Sequence, residues 1–236
     1  MRSDRFAVVI PAYQESATIG AIVAGCRAAA GVLDVIVVDD GSTDATAEQA
    51  QSAGARVLRN AGNQGKGASL ALGLTAALAL DADWVVTLDG DGQHRPDFLP
   101  LLFACARANP DRIVIGSRRG DRNAAPRARY IANRIADFWV SLASGHAVDD
   151  SQSGFRVYPM ALLRRLDGGA GMAKRFAFES EMLIEAGRLG VSTVAVPIPS
   201  IYSALQRRSH FRPVLDITRI VLMVAGKLLE IRRSRR

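Results

Sequence analysis

A chain of 236 residues, 49% hydrophobic and 22% charged, has the make-up of a globular protein that buries a substantial core. One large domain, alone or with a small appendage, accommodates that length. The net charge of +7 suits an anionic partner such as a nucleotide, a phosphate or an acidic membrane surface. No apolar run reaches the ~18 residues of a transmembrane helix, and the longest candidate, 220–226, falls far short. The start, MRSDRFAVVIPAY, enters a strand without a signal-peptide segment. Cys26 and Cys105 lie in apolar helical patterns without metal-like spacing, so buried thiols and a reducing, cytoplasmic setting are expected.

In chain order, a β-rich run at 6–11 precedes a helical period over 18–30. A strand at 35–38 leads to a helix over 43–53, capped by Ser42 or Thr43. A short strand at 56–58 and an Ala/Leu-rich helix over 69–80 follow, then a strand at 84–88 that runs into DGDG. A helix near 96–108 leads to the strand 113–115. Farther on, 124–145 and 178–189 read as helices, 191–196 as a strand, and 213–236 as an apolar helix ending in RRSRR. Continuous apolar strands alternating with helices imply a Rossmann-like, mostly parallel α/β sheet covered on both faces. The predicted division is a domain over 1–212 with a C-terminal basic amphipathic helix over 213–236.

In such sheets ligands gather at the carboxyl ends of the strands. Four polar clusters stand there in succession: PAYQE, DDGSTD, DGDGQH and GSRR. Asp89 and Asp91, flanking Gly90, are placed to converge on a hard divalent cation such as Mg²⁺ or Mn²⁺, with Gln93 as a further oxygen donor. A cation there would offset diphosphate charge and so favour the departure of a nucleotide. A lone acidic turn of this kind also fits a solvated helix cap, so the pattern needs its neighbours. At 39–44, ligand binding by Asp40 and helix capping by Asp39, Ser42, Thr43 or Asp44 both fit. Residues 63–67, NQGKG, lack the spacing of a phosphate loop, leaving Lys66 as a phosphate contact at a helix-opening turn. Arg118 follows the fifth strand where a diphosphate would lie, and Arg127, Arg129, Arg134 and Arg156 are cation candidates for an anionic acceptor. His94, His146 and His210 form no triad or zinc pattern.

The ordered set VVIPAYQE, VVDDGSTDAT, NQGKGAS, LDGDGQHRPD, GSRR, DSQSGFR, FESEM and RRSHF resembles family 2 glycosyltransferases of the GT-A fold. Within them it is most similar to the dolichol-phosphate mannosyltransferase and polyprenyl-phosphate glycosyltransferase branch, over about residues 6–212. The resemblance implies that Pro11, Tyr13, Glu15, Val38 and Asp40 line a nucleoside pocket. It implies that Asp89, Gly90, Asp91 and Gln93 form the metal and diphosphate site beside Arg118, with Asp150, Arg156 and Glu181 around sugar and acceptor. The branch usually carries an arginine five residues before the serine of a late S-K pair. Here those places are Ala204 and Ser209-His210, with Arg207 or Arg208 as substitutes for the missing charge. A multi-helix anchor of the kind some relatives append is not expected here.

The expected reaction is a single, inverting displacement on a nucleotide sugar, with Asp91, Asp150 and Arg118 at the chemistry and Mg²⁺ or Mn²⁺ as cofactor. A lipid-phosphate acceptor is already anionic; a hydroxyl acceptor needs a carboxylate base, for which Asp150 is the candidate. The tail suits an anionic surface or packing on the domain, so the expected location is cytoplasmic or peripheral on the cytoplasmic face of a membrane. A nucleic-acid partner is not expected. Donor base, sugar and oligomeric state stay open.

Overall fold

The first strand, β1 (Phe6–Ala12), is buried at every residue, so both of its faces must be covered. In the computed structural model, residues 4–118, 127–172, 178–199 and Val224 are described, with the backbone alone at 127–129 and 172. Beside β1 lie β2 (Val32–Asp39), β3 (Arg56–Arg59), β4 (Trp84–Thr87), β5 (Ile113–Ser117), β6 (Arg156–Pro159) and β7 (Thr193–Pro197). They form one sheet in the order β3-β2-β1-β4-β6-β5-β7. β1 is parallel to β2 and β4, β2 to β3, and β5 to β7. β6 is antiparallel to both β4 and β5 and separates them.

Side chains alternate along β1 and so feed two cores. Ala7 and Val9 face a layer made by α3 (Lys66–Ala77), α5 (Arg127–Ser144) and α7 (Phe178–Arg188). Phe6, Val8 and Ile10 face α1 (Ile19–Ala28), α2 (Thr46–Ser52) and α4 (Leu99–Ala108), the last preceded by a 3-10 turn at Pro96–Phe98. A glycine at 73 lets α3 settle on β1, since a Cβ there would collide with Val9. Phe6 stacks between Trp84 and Phe103 in the second core. α6 (Met160–Arg165) follows β6.

The parallel α/β sheet is as expected, but several details differ. β6 lies between the expected helices 124–145 and 178–189, in a stretch for which no element is expected. α2 begins at Thr46, not 43, because Ser42 and Thr43 are engaged elsewhere: the Gln14 N–H donates to Ser42 Oγ at 2.9 Å and Gln14 Nε2 to Thr43 Oγ1 at 2.7 Å. Asp44 accepts the Thr46 N–H instead. α3 starts three residues early, at Lys66, which puts that lysine in its first turn. Both cysteines are free; Cys26 is buried, which pushes its thiol up to about 12, and Cys105 is partly exposed.

Of the tail, Val224 is described, and it is fully buried in the α3–α5–α7 core. Ser209, His210 and the basic end lie outside the described residues. Among the described residues no helix is long and apolar enough to cross a membrane.

Candidate functional site

β1, β2, β4 and β5 point the same way, so the polar clusters that follow them share one edge. Asp89, Gly90 and Asp91 turn away from β4 there. Thr18 Oγ1 donates to the Gly90 carbonyl at 2.7 Å, tying this turn to the start of α1. A Cβ at Gly90 would sit 3.2 Å from the Pro11 carbonyl and 3.6 Å from Glu15 Cγ, so three expected site residues meet here. Tyr13, two residues beyond Pro11, is 42% exposed.

Two nucleoside candidates have other duties. Val38 is fully buried in the core, its Cγ2 against Gly73 of α3, so its side chain is a packing residue and does not line the edge. Asp40 is 3% exposed and shapes the following loop: it accepts the N–H groups of Gln64 and Gly65 and Asn60 Nδ2, at 2.9, 2.8 and 2.7 Å. Asp39, also buried, accepts the Ser42 N–H and pairs with Arg59.

The electrostatic centre is Asp89. Lys66 Nζ lies 2.7 Å from its Oδ1 and 3.1 Å from Glu179 Oε2. Burial pushes the Asp89 carboxyl up, but the Lys66 ammonium, helped by His94 and Arg118, holds it down at about 2. Asp91 moves the opposite way: burial and then the neighbouring Asp89 charge raise it. The Gln93 N–H donates to Asp91 Oδ1 at 2.9 Å and orders the turn.

This donor set fits a hard divalent cation, because a cation between the carboxylates removes the repulsion that raises Asp91. Among the described residues no three His, Cys, Asp or Glu side chains converge to cage one. An ion held by Asp89 and Asp91 would complete its shell from Gln93, substrate phosphate and water, which is how Mg²⁺ commonly binds.

Arg118, on the far side, is clamped by Asp150. Its backbone N–H and Nε reach Asp150 Oδ2 at 3.0 and 3.1 Å, and NH2 reaches Oδ1 at 3.1 Å. Burial pushes Asp150 up, and Arg118 overcomes this and keeps it low. Asp150 adopts φ 52°, an uncommon conformation for a non-glycine residue, as the chain turns into the 151–154 loop. That loop presses on the acidic turn: a Cβ at Gly154 would stand 2.5 and 2.6 Å from the Asp89 carboxylate oxygens. Gly154→Ala should therefore displace Asp89 and lower the activity of a site built on that turn about 10²-fold, a typical cost of a small misplacement. Steady-state rates against a melting curve check this; a folded variant at full rate contradicts it.

Arg156 and Glu181 are not at the surface of the site. Arg156 is fully buried and spends its guanidinium on the carbonyls of Ser151, Ser153 and Glu179 and on the Tyr158 hydroxyl. It is a brace under the loop and not a free cation for an acceptor. Glu181 is fully buried in α7. Glu179 reaches the Lys66–Asp89 pair instead, and residues two apart on a helix face different ways. The Lys66–Glu179 link escaped the sequence reading; the signal was FESEM opening a helix with two acids on different faces. Arg134 is exposed on α5 and Arg129 lies on the same helix, its side chain outside the described residues.

His94 is buried against Phe155, with Nδ1 3.7 Å from Asp89 Oδ2 and, among the described residues, no hydrogen bond to either nitrogen. Burial, against a smaller pull from Asp89, lowers its pKa to about 4 from 6.5. Between those values the unfolded chain binds more protons, so stability falls as pH drops from 7 towards 4 and levels off below. The metal-free protein should lose on the order of 3 kcal/mol over that window through this group. His94→Phe should flatten that part of a urea-midpoint curve; an unchanged curve refutes the assignment. His146 is half-buried near the Ser144 carbonyl.

The sequence pattern described as glycosyl transferase family 2 matches residues 7–166. The undecaprenyl-phosphate mannosyltransferase of Micrococcus luteus is 31% identical over 82% of this chain and 82% of its own. The UDP-N-acetylglucosamine–dolichyl-phosphate N-acetylglucosaminyltransferase of Methanococcus voltae is 28% identical, over 94% of this chain and 97% of its own. Among solved structures, glucosyl-3-phosphoglycerate synthase from Mycobacterium tuberculosis, in complex with Mn²⁺, UDP and glucosyl-3-phosphoglycerate, superimposes with a TM-score of 0.64 at 24% identity. That likeness covers 96% of this chain and 79% of the other, and shows a shared fold.

Proposed function

Because the chain belongs to glycosyl transferase family 2, we propose that it transfers a sugar from a nucleotide-sugar donor to a polyprenyl phosphate, inverting the anomeric carbon. The observation that carries this reading is the Asp89–Asp91 pair at the sheet edge, one carboxyl held low and the other pushed up beside a fixed ammonium. Relatives named for undecaprenyl and dolichyl phosphates support the acceptor class, and a structural neighbour with Mn²⁺ and UDP supports the cofactor.

Asp89 and Asp91 would hold Mg²⁺ or Mn²⁺, whose charge neutralises a leaving nucleoside diphosphate. Lys66 keeps Asp89 ionised and stands ready as a second positive group for phosphate oxygens. Pro11, Tyr13, Glu15 and the loop shaped by Asp40 flank the donor side. Arg118, oriented by Asp150, offers its guanidinium plane to the diphosphate or to the incoming phosphate.

The state of Asp150 weighs against a hydroxyl acceptor. A general base needs a pKa near the working pH and reach to the proton it takes. Asp150 is held low and is already bound through both oxygens to Arg118. A phosphate acceptor needs no such base. In this reading the catalytic unit is 1–212, the tail 213–236 adds membrane affinity, and the protein works on the cytoplasmic face of a membrane.

A panel of nucleotide sugars with Mn²⁺ or Mg²⁺, offered to a short polyprenyl phosphate and to hydroxyl acceptors, tests the proposal. The expected result is transfer to the lipid phosphate, abolished by chelator. Transfer to hydroxyl acceptors alone, or transfer indifferent to chelator, overturns it.

A further inference from the structure

Among the described residues, α5 has an outer face that no other element covers. Ile131, Ile135, Phe138 and Leu142 are 57, 40, 62 and 51% exposed. Steps of four, three and four place them on one helical stripe, about 16 Å long at 1.5 Å per residue. Arg134 is exposed within the same stripe, a turn from Ile131 and from Phe138. The only acid in the helix, Asp137, is 3% exposed and turned inward, where it accepts the Ser151 N–H at 2.6 Å. Ala136, Val140 and Ala143 on the opposite side are buried in the core, and Ala132 is buried beside them in sequence. The outward face is therefore apolar and cationic, without a carboxylate.

We propose that this face of α5 docks on an anionic membrane surface, its apolar side chains at the acyl boundary and Arg134 among the headgroup phosphates. That is the pattern of a helix lying in a bilayer interface. Charge complementarity selects lipid over a second copy. A two-fold contact through this face would bury Arg134 of both copies in an apolar seam with no carboxylate to pair it. The net charge of +7 acts in the same direction. The position also fits the chemistry: α5 holds the 151–154 loop through Asp137 and Ser151, and the adjacent Asp150 positions Arg118. A docked α5 would present that edge to an acceptor phosphate at the membrane, so the inference rests on the lipid-phosphate reading of the acceptor.

The test uses the full chain, because cutting off the tail would remove the buried Val224. Flotation with vesicles of neutral lipid, and of neutral lipid with a phosphatidylglycerol fraction, measures binding. The wild type should favour the anionic vesicles and lose affinity as salt rises. The double variant Ile131→Ser/Phe138→Ser should bind about tenfold more weakly or worse, and Arg134→Glu should lose most of the preference for anionic lipid. Transfer to a short, soluble polyprenyl phosphate without vesicles should be unchanged in the double variant, while transfer to a long-chain acceptor in vesicles falls with binding. Vesicle binding equal to wild type in the double variant overturns the proposal. So does loss of a solution dimer, by light scattering, with vesicle binding intact. If the wild type binds vesicles through α5 yet never uses polyprenyl phosphate, the docking stands and the acceptor reading fails.

Discussion

Asp91→Ala should yield a folded protein that has lost sugar transfer, by roughly 10³-fold, since removing metal and transition-state charge stabilisation costs several kcal/mol. The fold gains little from this carboxylate beyond the Gln93 hydrogen bond that orders the turn. Burial and the Asp89 charge both disfavour its ionised form. The alanine variant should therefore melt at the wild-type temperature or slightly above, an active-site residue kept at the expense of stability. Asp91→Asn, which keeps an oxygen and discards the charge, should be nearly as inactive. Asp89→Ala should behave differently, because Lys66 would then keep only Glu179 as a partner. It should lose both activity and stability. Transfer assays with saturating Mn²⁺, run beside thermal melts, separate the cases; an active Asp91→Ala enzyme removes the basis of the metal assignment.

The second large effect belongs to Arg156. Its fully buried guanidinium donates to Ser151, Ser153 and Glu179 carbonyls at 2.8, 2.8 and 2.7 Å and to the Tyr158 hydroxyl at 3.1 Å. Arg156→Met fills much of the volume but strands those oxygens without donors. The expected cost is about 3–5 kcal/mol, the scale for breaking a buried charged network on one side. Arg156→Lys should recover little, since one ammonium cannot serve four directions. Tyr158→Phe, which removes one partner, should cost about 1 kcal/mol. Urea denaturation of the three variants gives the ranking. A mild Arg156→Met would mean that water or neighbouring groups replace the guanidinium.

Much of this architecture is legible from residue order alone. Runs such as VVI, VIVV and WVV are too continuous for a half-exposed strand, and their length rules out long helices, so a covered parallel sheet follows. The acidic and basic clusters then fall on one edge by topology. What was illegible depended on contacts between distant parts of the chain. β6 has four residues and starts with an arginine; it can be an inner strand because the Ser151 and Ser153 carbonyls, the Tyr158 hydroxyl and, 23 positions away, the Glu179 carbonyl take up that charge. Lys66, expected at a turn that opens the helix, lies in the first turn of α3 itself. Val38 and Asp40 flank the end of β2, yet alternation sends the first into the core, and the second is taken up by the loop at 60–65. Glu179 and Glu181 differ only by rotation about α7, which no short motif encodes.

The reversed direction of β6 carries a consequence for how such an enzyme can diversify. At the shared edge, β1, β2 and β4 contribute their endings, whereas β6 contributes its beginning, with Arg156 opposite Thr87. One side of the cleft thus grows out of strand termini in a parallel scaffold, and the other is fed by a loop arriving from α5. Under the proposed function, exchanges within residues 145–149, short of the Asp150 clamp and the Gly154 contact with Asp89, would remodel that side while the register of β1, β2 and β4 stays as it is. If the proposed function holds, donor handling and acceptor choice would fall on opposite sides of a single strand boundary, and new acceptors could be explored without rebuilding the parallel half.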